Sequence, residues 1–184
     1  MLDLAVLDVF PDAEIAFFAE NDPGASEVLR TRFPGIPNYG DITKIDYSRV
    51  ERVDLLTAGF PCTDVSGAGA REGLTRETRS GLWYEVLRAI TELRPERVFL
   101  ENVPGLFTAK SDRAMESCEG CLGDESGESL LRALPAVLAD LAEARYDAKW
   151  TTVLAAGIGA PHRRERIFIW AAPDANGERA GTDS

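Results

Sequence analysis

The stretch GLWYEVLRAITELRPERVFLENV (81–103) decides the fold class. Its first part sets apolar residues at 82, 83, 86, 87, 90 and 93, the spacing of one helix face, and Pro95 stops the run. Its second part, RVFLENV (97–103), is a short run of branched and aromatic residues and reads as a strand ending at Glu101-Asn102. A helix feeding directly into a strand is half of a strand–helix–strand unit.

The same alternation continues on both sides. Upstream, IAFFAE (15–20) reads as a short buried strand, ASEVLRTRF (25–33) as a helix and VDLLTAGF (53–60) as a strand ended by Pro61. Downstream, ESLLRALPAVLADLAEARY (128–146) reads as an amphipathic helix with Pro135 early or at a break. KWTTVLAA (149–156) and RIFIWAA (166–172) are two strands close enough to pair. The pattern predicts an α/β fold, a mainly parallel sheet with helices on both faces. Ligands of such sheets bind outside the carboxyl ends of the strands. Glu20, Pro61-Cys62 and Glu101-Asn102 all fall at predicted strand ends.

The 184 residues, 45% of them hydrophobic, suit one domain with a sizeable core. No run of about 18 apolar residues occurs, which excludes a membrane-spanning helix. MLDLAVLDVFPDAEI is acidic and lacks the basic flank of a secretory leader. Three cysteines, Cys62, Cys118 and Cys121, argue against a disulfide framework and for a reducing cytoplasm. The net charge of -11 disfavours nucleic acid at first sight. The acid is uneven, however: residues 1–60 hold 11 acidic and 5 basic groups and residues 111–150 hold 9 and 4, whereas 61–110 and 151–184 are balanced at 7 and 7 and at 4 and 4. The balanced segments hold the residues suited to chemistry.

Cys62, in GFPCTDVSGAGAREG, follows a strand and a proline and precedes spaced glycines and Arg71, Arg76 and Arg79. That arrangement suits a thiol nucleophile under a closing lid, although a lone Pro-Cys is more often a small buried hydrophobe. Glu101 at a strand exit suits a partly desolvated acid, or simply a turn residue. Arg164 and Arg166 alternate along an extended segment, share a face and could clamp a phosphate or a planar base, where a solvated charge cluster is the commoner case. His162 is the sole histidine, which leaves a Cys-His dyad, and so a thiol hydrolase, conceivable. Cys118 and Cys121 lack a second ligand pair, so they read as two incidental thiols in a loop or as half of a weak metal site, and no complete metal site is expected. SDRAMESCEGCLGDESGES (111–129) reads as an inserted polar loop. Residues 173–184 read as a linker or the start of a further region.

Taken in order and at these spacings, the segments over residues 1–172 resemble the cytosine-C5 DNA methyltransferases. GFPCTDVSGAG (59–69) looks like the family's nucleophile motif and RSGLW (79–83) like the cofactor-side motif after it. VFLENVPGL (98–106) resembles the Glu-Asn-Val motif and GAPHRRERIFI (159–169) the arginine motif, while AENDPGA (19–25) and GDI (40–42) resemble two motifs that contact the methyl donor. Each motif alone is weak, and six in family order are strong.

The resemblance implies a Rossmann-like, S-adenosylmethionine-dependent enzyme acting on double-stranded DNA. It implies Cys62 as nucleophile toward carbon 6 of a flipped cytosine, Glu101 as proton donor or hydrogen-bond partner at ring nitrogen 3, and Arg164 and Arg166 as holders of the base. It further implies Glu20 at the cofactor's ribose, Asp41 at its adenine amino group and Leu82 on its adenine face. Asn21 and Ile42 fall beside these, and Pro61, Ser66 and Asn102 fall on the substrate side. Thr63 and His162 stand where the family commonly has glutamine.

The family opens with a strand and an Asp-Leu-Phe-x-Gly-x-Gly loop, whereas MLDLAVLDVF looks like the helix after that loop. The expectation is therefore a fragment, incomplete at its amino end and lacking the target-recognition region. It would be complemented by a partner fragment, or be an inactive binding module.

Overall fold

The computed structural model describes residues 2–60, 82–114 and 130–175. In chain order the helices are α1 (Leu2–Val9), α2 (Pro23–Arg32), α3 (Leu82–Leu93) and α4 (Ala133–Glu143). The strands are β1 (Leu55–Gly59), β2 (Arg97–Asn102), β3 (Lys110–Ala114), β4 (Leu130–Arg132), β5 (Tyr146–Leu154) and β6 (Glu165–Pro173).

The main sheet has the order β1-β2-β6-β5. β1 and β2 are parallel, whereas β6 is antiparallel to both of its neighbours. The α/β architecture is as expected, and the sheet is mixed. Three strands run one way and β6 runs against them. The cause is the connection: residues 155–164 between β5 and β6 are too few for a crossover, so the chain returns as a hairpin. The reversal puts the amino end of β6 at the same rim as the carboxyl ends of β1, β2 and β5.

Register fixes the two faces. Val98, Leu100 and Asn102 stand opposite Ala171, Ile169 and Ile167, and all six are buried. This face packs on α3 and α4 through Trp83, Val86, Ile90, Leu134, Val137 and Leu141. Each such side chain contributes about 1.5–3 kcal/mol on full burial. The Trp83 indole N–H donates to Asp140 Oδ2 at 2.7 Å, joining the two helices inside the core. The other face carries Thr57, Phe99, Glu101, Arg166 and Phe168, with α1 against β1 and a hydrogen bond from Thr57 Oγ1 to Asp3 at 2.5 Å.

Two expectations are corrected. IAFFAE (15–20) is not a strand: Phe18 alone forms a bridge, to Asn38, and the segment is only half-buried. An extended run becomes a strand only where a neighbour offers a continuous ladder, and β1 pairs with β2 on one side only among the described residues. The helix expected from 128 begins at Ala133, because 130–132 pair with β3 instead. Pro135 then sits in the first helical turn, where its missing N–H costs nothing, and no break results. Of the expected inserted loop, 111–114 belong to β3; 115–129, with Cys118 and Cys121, lie outside the described residues, as do 176–184. No described helix is long and apolar enough to cross a membrane, and no metal-ligand cluster occurs among the described residues.

Candidate active site

Glu101 and Arg166 meet at the rim. The ladder pairs Glu101 with Phe168, so Arg166, two residues along β6, is a diagonal neighbour on the same face. Arg166 Nε lies 2.6 Å from Glu101 Oε1, with both side chains about three-quarters covered. The guanidinium also donates to the Glu165 carbonyl at 2.7 Å, which fixes its plane. Arg164 precedes β6 and is exposed, its carbonyl accepting from Ala155 N–H at 2.8 Å. His162 is exposed as well, and its Nδ1 accepts from Arg164 N–H at 3.4 Å.

Asn102 follows Glu101 in the strand and therefore points to the opposite, buried face. It is 3% exposed, and its Nδ2 donates to the Phe60 carbonyl at 3.4 Å while its Oδ1 accepts from Val103 N–H at 2.8 Å. Among the described residues its side chain therefore lies in the core beside Phe60 and not with Glu101 on the opposite face. Phe60 also packs its ring on Trp83 at 5.4 Å. The residue before Pro61-Cys62 is thus held by both its backbone and its ring. Pro61, Cys62 and Ser66 lie outside the described residues.

A cleft of about 2010 Å³ joins this rim to the amino-terminal third of the chain. Glu20, Asn21, Asp41, Ile42, Leu82, Glu101, Arg164 and Arg166 all line it. Glu20 is half-buried, and its Oε1 accepts from Asp22 N–H at 2.8 Å. Asp41 caps a short 3-10 turn (Ile42–Lys44): its Oδ1 accepts from the Thr43 hydroxyl at 2.8 Å and the Thr43 N–H at 3.0 Å. Those bonds, the hydroxyl first, hold its carboxyl below the usual carboxylate range, with Lys44 at 3.3 Å adding to the effect. Leu82 opens α3 and, with Ile42, supplies half-buried apolar surface.

Two residues that hold this arrangement carried no signal in the sequence. Arg88, on α3, donates to the carbonyls of Ile42 at 2.8 Å and Ile45 at 3.1 Å, pairs with Glu85 and stacks over Tyr47. It ties the Asp41 turn to the helix that begins with Leu82. Asn38 hydrogen-bonds around Glu20. Neither belongs to a periodic pattern or a motif, so nothing in the sequence sets either apart from the other polar residues around it.

A model of the C-5 cytosine-specific DNA methylases matches residues 4–179. The chain belongs to this family. It is 36% identical over 156 residues to the type II methyltransferase M.NgoBV of Neisseria gonorrhoeae, covering 85% of the chain and 34% of that protein. It is 35% identical over 155 residues to M.CviJI of Paramecium bursaria Chlorella virus IL3A, covering 84% and 36%. The chain therefore spans about a third of the length of these curated relatives. Among solved structures, the Dnmt2 methyltransferase of S. pombe superposes with a TM-score of 0.63 at 17% identity, covering 94% of this chain and 46% of that one. The fold is that of the methyltransferases, and residues 20, 21, 41, 42, 82, 101, 164 and 166 line one cleft of it.

Proposed function

We propose that this chain is the catalytic portion of a DNA (cytosine-5-)-methyltransferase that takes its methyl group from S-adenosylmethionine and acts on double-stranded DNA. One observation carries the reading: a single cleft is lined both by the Glu101–Arg166 pair and by Glu20 and Asp41.

The residues fit the cofactor. A carboxylate only accepts hydrogen bonds and has about four acceptor positions, so Glu20 and Asp41 keep capacity for a hydroxyl pair and an amino group. Ile42 and Leu82 offer apolar surface to a flat ring, with Asn21 beside Glu20. When bound, S-adenosylmethionine supplies an electrophilic methyl group.

The chain's own residues prepare the cytosine. Stacked in a duplex, its carbon 6 is out of reach, so the base must leave the stack. Cys62, as thiolate, forms a bond from Sγ to carbon 6, and the displaced electron pair moves through the ring toward nitrogen 3. Glu101 donates a proton or hydrogen bond there, and carbon 5 becomes nucleophilic. Loss of the carbon 5 proton and expulsion of the thiolate later restore the ring. Arg166 orients Glu101, and Arg164 holds the base or the neighbouring backbone. Asn102 acts on Cys62 through Phe60, with Pro61 and Ser66 on the substrate side. A free thiolate suits a reducing cytoplasm, and the type II relatives favour a role in restriction-modification. A Cys62–His162 hydrolase is set aside by family membership.

A second reading has the chain complemented by a partner fragment. It is favoured by β1, which pairs on one side only among the described residues and faces the cleft together with Phe17 and Phe18. An added strand would find open backbone groups there.

Transfer of labelled methyl from S-adenosylmethionine to mixed-sequence duplex DNA tests both. Labelled 5-methylcytosine made by the chain, and lost in Cys62→Ser, is the expected result. Label that survives Cys62→Ser overturns the mechanism. Label that needs a second polypeptide selects the complementation reading.

A further inference from the structure

The Asn38 side-chain amide uses both of its ends. Oδ1 accepts from the N–H of Glu20 at 3.0 Å and of Gly40 at 3.2 Å. Nδ2 donates to the Glu20 carbonyl at 3.0 Å and to Ser26 Oγ at 3.1 Å, and Ser26 Oγ itself donates to the Glu20 carbonyl at 3.0 Å. The orientation is unambiguous, because the reversed amide would set oxygen against a carbonyl and NH2 against two N–H groups. Gly40 has φ of +73°, a backbone that favours glycine, and Asp41 follows directly. One amide thus links the backbone that presents the Glu20 carboxylate to the backbone that presents the Asp41 carboxylate.

We propose that Asn38 is a positioning residue that locks Glu20 and the Asp41 turn into one preformed rim for the nucleoside part of the cofactor. The proposal rests on the methyltransferase reading. It goes beyond that reading by assigning a coupling role to a residue outside the family motifs matched above. Separate loops would each pay an ordering cost on binding, and a rim already joined avoids part of it. Asn38 is exposed and contributes nothing to either apolar cluster, so its four hydrogen bonds serve local geometry.

The test is a double-mutant cycle read by calorimetric binding of S-adenosylhomocysteine to the full chain, with Asn38→Ala, Glu20→Ala and the double variant. Asn38→Ala is expected to weaken binding about tenfold in the wild-type background, the order expected from losing such hydrogen bonds. In the Glu20→Ala background it is expected to cost clearly less than tenfold, because the part of its effect that runs through Glu20 is gone and only the part through Gly40 and the Asp41 turn remains. Equal losses in both backgrounds, or none in the wild-type background, overturn the proposal and leave the methyltransferase reading intact. A folded wild-type chain that binds no S-adenosylhomocysteine overturns the preformed rim and, with it, the reading of this chain as a cofactor-binding methyltransferase portion on its own. Asn38→Asp keeps the two accepted bonds and serves where the alanine variant does not fold. Its smaller loss is expected to depend on Glu20 in the same way.

Discussion

Glu101 and Arg166 lie at hydrogen-bond distance, 2.6 Å, although no backbone ladder sets them opposite one another. Only the antiparallel course of β6 brings the arginine to the end of β2 where the carboxylate emerges. Glu101→Gln keeps the shape and loses the exchangeable proton. Methyl transfer is expected to fall by about 10²–10⁴ in kcat, the usual contribution of a positioned acid. Arg166→Lys keeps the charge without the planar fork, and most of that loss is expected to remain. Single-turnover transfer of labelled methyl measures both, and an unchanged rate in Glu101→Gln removes Glu101 from the chemistry.

Asn102 predicts a loss of a different kind. Truncation to alanine leaves the Phe60 carbonyl without its buried donor, at a cost of about 1–3 kcal/mol in urea unfolding. If Asn102 also positions the chain before Cys62, kcat falls further than the shift in stability accounts for at a temperature where the variant is fully folded. A variant as stable as the wild type would show that the 3.4 Å bond contributes nothing.

The Trp83–Asp140 bond ties α3 to α4 away from the cleft. Asp140→Ala strands a buried indole N–H and is expected to cost about 1–3 kcal/mol. Binding of S-adenosylhomocysteine by the folded fraction should be unchanged. Equilibrium unfolding and calorimetry separate the two effects, and a large change in affinity would mean that the helix pair acts on the site directly.

Tyr47 supplies a prediction in pH. Burial pushes its phenol up to about 12, against the opposing pull of the nearby Arg88 guanidinium. The folded state therefore favours the protonated form over the unfolded chain, where a tyrosine titrates near 10. This contribution is complete below about pH 10 and is lost as pH rises through about 12. Tyr146 shifts in the same direction, also through burial. Spectrophotometric titration should show late phenolate absorbance that shrinks in Tyr47→Phe, together with a shallower loss of stability above pH 10.

Periodicity made much of the fold legible. The apolar spacing of 81–95 places α3, and the adjoining run gives β2, because burial on one face imposes a period that a sequence can display. What periodicity does not carry is strand direction or ladder membership. The reversal of β6 follows from the length of a connection, and IAFFAE makes only the Phe18–Asn38 bridge because no strand among the described residues offers it a continuous ladder. The outlook of Asn102 was available: Val98 and Leu100 are apolar, and alternation puts residue 102 with them in the core. Asn38 and Arg88 were not available. Each works by reaching backbone atoms of another segment, and backbone atoms have no signature in a sequence.

The hairpin of β5 and β6 also bears on how the site comes into being over time. Its two strands are joined by a short connection and can pair early, whereas β2 reaches β6 only after the longer stretch between them has closed. Arg166 therefore travels with a preassembled unit and finds Glu101 when that unit docks. In a refolding experiment, hairpin formation and recovery of a competent rim become two events. An early hairpin signal followed by a slower return of the Glu101–Arg166 contact is the expected result, and a single shared phase would rule the order out.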